Sequence, residues 1–361
     1  EILNSVTWWF RYAHETLEAR HSDLCSRLWE RLLGIMENHP QTTRSGLVQR
    51  RDDRDWIGAA LNAPAGRLTE LALQRSGPTS ADAQISDIWL ERMRRLLALP
   101  DDAGNHALVY LARSIDYLFA RAPAWTEIYI LPFRHGNDER RTIFWIARFW
   151  NNRGLSAALF TELRDDLLAL VNERRSGREW NMQLAGQILL GWHRNDQLAK
   201  GVAYDDAELR SALLAGNDEL RRQVLHTLRG WITEADWIDA TLKIIADIWP
   251  RQLSVRSADT IAALVNLLLA SGENFPVFTT ASLDLLEPLQ RDRHWQLSPH
   301  QTAEIAAAYP DVILTLLTKI LSTDPGQWPY GMDDLFSAIA KSGFQDDARL
   351  LRLQKLLADW K

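Results

Sequence analysis

Residues 205–250, DDAELRSALLAGNDELRRQVLHTLRGWITEADWIDATLKIIADIWP, decide the fold. Asp205 to Ala215 reads as one helix and Asp218 to Ile232 as a second, with Gly216-Asn217 between them. Ala235 to Trp249 is a third. Pro250 terminates it, because proline lacks the amide donor that the next turn needs. The acidic pair Asp205-Asp206 stands where carboxylates satisfy free backbone N–H groups and the helix dipole.

The same pattern extends outward in both directions. Towards the C-terminus it predicts helices over Ser257 to Leu269 and Thr279 to Leu289, around a Phe275-Pro276 break. Pro299 to Ala308, Asp311 to Leu321, Met332 to Ala340 and Gln345 to Trp360 follow. Towards the N-terminus, Val6, Trp9, Phe10, Ala13 and Leu17 share one face of a first helix. Ser22 or Asp23 caps a second, lined by Leu24, Leu28, Leu32 and Ile35. Short helices over Asp55 to Leu61 and Ala65 to Gln74 flank Asn62-Ala63-Pro64. Further helices run from Ile85 to Leu99, from Asp101 or Asp102 through Leu118, from Thr142 to Trp150 and from Leu155 to Val171. Another, beyond Gly177, holds Met182, Leu184, Ile188 and Trp192. Gln41 to Asp55 is a polar, arginine-rich connection.

No window alternates with period two. Helix pairs recur at roughly 35–45 residues, the range of HEAT-like and tetratricopeptide units. The tetratricopeptide consensus does not match. The expected fold is therefore all-α: stacked antiparallel helix pairs in a HEAT-like α-solenoid or an irregular helical array. Its natural sections are 1–76, 83–175 and 178–361. Sixteen tryptophans run from Trp8-Trp9 to Trp360, and at helical spacing such rings are core anchors.

Composition narrows the function classes. The 361 residues are 46% hydrophobic and 24% charged, enough apolar surface to offset chain entropy. A net charge of −6 gives no global pull towards nucleic acid or anionic lipid. Lysine is absent before Lys200, and GC-rich coding explains that bias without any function. The single cysteine, Cys25, forms no internal disulfide; it reads as a small buried residue of a cytoplasmic protein. No apolar run reaches the ~20 residues that span a bilayer. The chain starts at Glu1 already in a helical pattern, which suggests a piece of a longer polypeptide whose remainder carries the effector chemistry.

Catalytic signatures are missing from the sequence. Neither a glycine-rich phosphate cradle nor Gly-x-Ser-x-Gly occurs. The nine histidines are scattered. Only His14 and His21 could share a helix face, and two imidazoles are too few for a metal. No cofactor and no enzyme activity are expected of this chain. The best binding candidate is a surface of Arg134, His135, Arg140, Arg141 and Arg148, beside Trp125, Trp145 and Trp150. Arginine next to aromatic residues suits phosphate contacts and base stacking. The competing reading is a solvated loop beside a buried Trp145/Phe149 face. A second strip, Arg44, Arg50, Arg51 and Arg54, is diluted by Asp52, Asp53 and Asp55 and reads as surface ion pairing.

Several phrases resemble the helical C-terminal region of large bacterial anti-phage defence proteins, including those with an N-terminal sirtuin-like NAD-consuming domain. They are Leu61-Asn62-Ala63-Pro64-Ala65-Gly66, Asn105-His106-Ala107-Leu108, Trp125-Thr126 before Ile130-Leu131-Pro132, and Phe144-Trp145. Ile248-Trp249-Pro250-Arg251-Gln252 and Asp346-Asp347-Ala348-Arg349-Leu350 belong to the same likeness, which spans roughly residues 55–360. No catalytic or NAD-binding residue of the sirtuin-like domain has a counterpart here. The resemblance implies a sensor of a phage component or an oligomerisation scaffold. Its partner would be a phage protein or a sister subunit, with no membrane involved. The alternative is a nucleic-acid-binding helical repeat that uses the arginine surface.

Overall fold

The computed structural model describes residues 2–40, 55–76, 84–136, 139–150, 154–175, 177–193, 198, 201–289 and 299–360. Among them are 19 α-helices and no strand, as the periodicity predicts. The chain divides into two compact units, Glu1–Leu159 and Phe160–Lys361. Residues 41–54, with the second arginine strip, lie outside the described residues.

The first unit holds α1 (Ile2–Asn38), α2 (Trp56–Leu61), α3 (Pro64–Arg75), α4 (Asp87–Leu97), α5 (Asp102–Arg113), α6 (Ile115–Arg121), α7 (Pro123–Tyr129) and α8 (Glu139–Trp150). At its centre is α5, against which α2, α3, α4 and α8 all pack. Every residue from Ala103 to Ala112 is consequently buried. Each fully buried leucine there, such as Leu108 or Leu111, stabilises the fold by about 1.5–3 kcal/mol.

The break expected before Ser22 appears as a kink inside α1 at His21 (φ −148°, ψ 60°). The buried faces of α1 differ in phase from the prediction. Leu3, Thr7, Phe10 and His14 face inward before the kink, and Cys25, Trp29, Leu32, Leu33 and Met36 after it. Trp9 is half exposed and Leu24 is exposed. The reason is Trp29, which meets Trp89 edge-on at 5.3 Å. The Arg92 guanidinium lies 5.0 Å from the Trp29 ring and 4.6 Å from the Trp89 ring. It also donates to Ser26 at 2.9 Å. That cluster sets the rotation of the helix.

The second unit contains α9 (Ala157–Asn172, whose first turn precedes the boundary), α10 (Arg178–His193), α11 (Asp206–Ala215), α12 (Asp218–Trp231) and α13 (Ala235–Lys243). There follow α14 (Ala258–Ala270), α15 (Phe275–Ser282), α16 (Pro299–Ala308), α17 (Pro310–Ile320), α18 (Met332–Ile339) and α19 (Ala348–Trp360). Packing here alternates. One series runs α10 on α12, α12 on α14, α14 on α16 and α16 on α18. The other joins α11 to the single π turn Ile244–Ile248 that continues α13, then that turn to α15, α15 to α17 and α17 to α19.

Caps follow the sequence closely at two starts. Asp205 and Glu208 form a reciprocal capping box, and Ser257 accepts from the Thr260 amide. Pro276, read as a break, instead sits in the first turn of α15, where a missing amide costs nothing. The true break is four residues earlier at Gly272, whose φ of +58° favours glycine. The helical direction turns by 115° there. No single helix among the described residues is long and apolar enough to cross a membrane.

Candidate binding site

The predicted arginine surface is only partly assembled. Arg134 ends a 3-10 turn, Leu131–Arg134, and its carbonyl accepts from Arg141 Nε at 3.3 Å and from Trp145 Nε1 at 3.2 Å. Arg140 donates from Nε to Asn105 Oδ1 at 3.1 Å and lies 5.2 Å from the Phe133 ring. Both Arg140 and Arg141 belong to the first turn of α8, not to a loop, and all three arginines are half-buried. His135 is exposed beside them.

Arg148 departs from the expectation. Its side chain is 2% exposed and faces Asp116, 3.4 Å away. Burial pulls its guanidinium below the usual arginine range, and Asp116 opposes that shift. Packing explains the correction: Arg148 is enclosed in the buried part of α8 and reaches Asp116 of α6. Trp145 is wholly buried, Trp125 pairs with Tyr129, and Trp150 lies 3.9 Å from the Arg113 guanidinium. The aromatic side chains of this region are thus engaged in packing.

A different cluster has the geometry of a site. Between α10, α12 and α14 lies a cavity of about 200 Å³ lined by Arg178, Arg222, Gln223, His226, Arg229, Asp259, Ala262, Ala263 and Asn266. Its construction follows from helical spacing. Arg222, His226 and Arg229 are four and three residues apart, so they form one stripe of α12. Asp259, Ala262, Ala263 and Asn266 form the facing stripe of α14, where two alanines leave room. Arg178 is the first residue of α10, after Gly177 at φ +130°.

Glu219 fixes part of this arrangement. It accepts two bonds from Arg222 Nη2, at 2.7 and 2.6 Å, and one from Gln223 Nε2 at 2.8 Å. The Gln223 side-chain oxygen is buried and has no hydrogen-bond partner. Neither Arg178 nor Arg229 has a carboxylate partner among the described residues. Burial, then Arg178, Arg229 and Arg222, hold the His226 imidazole below its ordinary pKa.

A more open depression of about 630 Å³ borders Trp192, His193, Tyr204, Asp205, Asp206 and Lys243. Its polar groups satisfy one another. Asp206 accepts from Trp192 Nε1 at 2.9 Å and from Lys243 Nζ at 2.8 Å. His193 stacks on Trp237 at 4.0 Å. Cys25 is buried, and burial raises its thiol pKa, which makes it a poor nucleophile. His14 is buried while His21 is exposed, so they share no site. The described residues hold no group of three or more His, Cys, Asp or Glu able to bind a metal.

The sequence reading missed the basic cavity. Its residues come from three helices, and each stripe alone looks like a solvated helix face. The one signal was the Arg222/His226/Arg229 periodicity opposite the apolar Leu220, Val224, Leu225 and Leu228 face. No family model, curated protein sequence or solved structure matches the chain.

Proposed function

We propose that this chain is a non-catalytic, HEAT-like interaction module of a bacterial antiviral defence protein, working in the cytoplasm. It senses a phage component or holds sister subunits together. The observation that carries the interaction part is the alternating packing of α10 to α19 in two series. Stacked helix pairs build long continuous surfaces without needing a catalytic constellation. The defence part is supported by the resemblance of phrases such as Leu61 to Gly66 and Ile248 to Gln252.

Solution mass of the full-length protein, from infected and uninfected bacteria, tests the reading. It predicts an oligomer, or a complex with a phage protein. A monomer with no partner in both states contradicts it.

A nucleic-acid-binding repeat is the second reading, favoured by Arg134, Arg140 and Arg141, which stay together at the start of α8. The net charge of −6 and the buried Arg148 weigh against it. It predicts single-strand affinity that falls steeply with salt and drops at least tenfold in Arg140→Ala plus Arg141→Ala. Filter binding at two salt concentrations measures this, and salt-independent or unchanged binding rejects it.

A further inference from the structure

We propose that the cavity between α10, α12 and α14 binds a small phosphomonoester, with Arg178, Arg222 and Arg229 on the phosphate and Gln223 on a donor group of the attached moiety. This goes beyond the interaction-module reading and does not depend on it.

Charge is the first argument. Several arginines in this chain are neutralised locally: Arg95 by Glu30 and Glu37, Arg164 by Asp165 and Glu208, Arg349 by Asp311 and Asp347. Around the cavity three guanidinium groups converge with one lining carboxylate, Asp259. Only Arg222 has an ion-pair partner among these arginines. Like charges brought together repel, and an anion between them converts that repulsion into charge-assisted hydrogen bonds. Arginine's planar fork matches two oxygens of a phosphate; the forks of Arg178 and Arg229 hold no carboxylate among the described residues, while Arg222, whose Nε and Nη2 are bonded to Glu219, offers its remaining N–H groups.

Gln223 is the second, independent argument. The residue is 1% exposed, lines the cavity, and has a side-chain oxygen without a partner. Its amide nitrogen is committed to Glu219. Leaving such an acceptor buried and unpaired costs about 1–3 kcal/mol. A ligand hydroxyl or N–H satisfies it, which bare phosphate dianion does not. Asn266 supplies a further acceptor on the α14 side. The ligand is therefore an ester that carries donors beside its phosphate.

Size sets the limit. About 200 Å³ accommodates a phosphate and one attached ring, so any further ring of the ligand lies outside the cavity and a duplex does not enter it. A sugar phosphate and a nucleoside monophosphate share this chemistry, and the test separates them.

Calorimetry at low salt with the chain uses four probes: inorganic phosphate, ribose 5-phosphate, adenosine monophosphate and unphosphorylated ribose. The expected result is binding of one or both esters, at least tenfold tighter than inorganic phosphate, and none of ribose. Arg178→Ala plus Arg229→Ala, both exposed positions, should weaken ester binding at least tenfold with the thermal midpoint preserved. A measurement on the unmodified chain complements this. The His226 ring, faced by Arg178 from α10, Arg222 and Arg229 from α12 and Asp259 from α14, should rise in pKa when the bound ester is titrated by NMR. Failure of both esters to bind overturns the proposal. So does equal binding of inorganic phosphate, ester binding that survives the double variant, or a His226 titration that the ester leaves unmoved.

Discussion

Arg140 and Arg148 occupy the same helix, yet they meet opposite surroundings. Arg140 reaches across to Asn105 from the first turn of α8, while Arg148 is enclosed with Asp116. Removing Arg148 leaves a hole and a carboxylate without its counter-charge. Arg148→Ala should lower unfolding free energy by about 2–3 kcal/mol and Arg140→Ala by under about 1 kcal/mol, as read by urea denaturation. Equal losses would show that Arg148 is not buried. Periodicity could not reveal this difference, because an arginine looks the same in sequence whether its helix face is wet or packed. His14 is a parallel case. Burial, with Arg75 and Arg92, holds its imidazole below the ordinary histidine value of 6.5, although Glu18 pulls the other way. The unfolded chain thus binds a proton more readily than the folded one. The stability His14 contributes is complete above pH 6.5 and is lost as pH falls towards the lower folded value. Urea unfolding at pH 7.5 and 5.5 should show this loss, and His14→Gln should reduce the slope. An unchanged slope would place the acid sensitivity elsewhere, with His226 the next candidate.

At the scale of the helix, start and stop chemistry was the most readable feature. Asp205, Ser257 and Pro250 mark ends that the structure keeps. Helix phase was less readable, since Trp8, Trp9 and Phe10 are consecutive and only packing against the rest of the unit selects which faces inward. The Leu61 to Gly66 phrase gains a physical meaning here. It is the tight junction where α2 stops and α3 starts, with Pro64 at a first-turn position. A Cβ on Gly66 would stand 2.0 Å from the Ala60 carbonyl oxygen and 3.2 Å from the Tyr110 ring. Backbone cannot yield as a flexible side chain does. Gly66→Ala should therefore cost about 3 kcal/mol, despite alanine's better helix propensity, and lower the thermal midpoint. A neutral or stabilising outcome would contradict the close approach of α2 and α3.

For the whole molecule, the class was legible and the candidate site was not. Helical periodicity, scarce β-type runs and one large aromatic per helix or helix pair gave an all-α array from sequence alone. The tryptophans prove to be anchors in most places, with Trp29, Trp145 and Trp237 buried, while Trp8, Trp9 and Trp360 remain exposed. The basic cavity depends on residues as far apart as Arg178 and Asn266, and only tertiary packing reveals their convergence. The arginines from Arg134 to Arg148 stand out in the sequence because proximity along the chain is the only proximity a sequence displays. The central claim, a module through which a defence protein recognises or assembles, is tested most directly by plaque counts. Bacteria producing the full-length protein should resist phage, and removal of residues 160–361 should abolish that resistance without lowering the amount of protein. Undiminished resistance after that deletion would contradict the account.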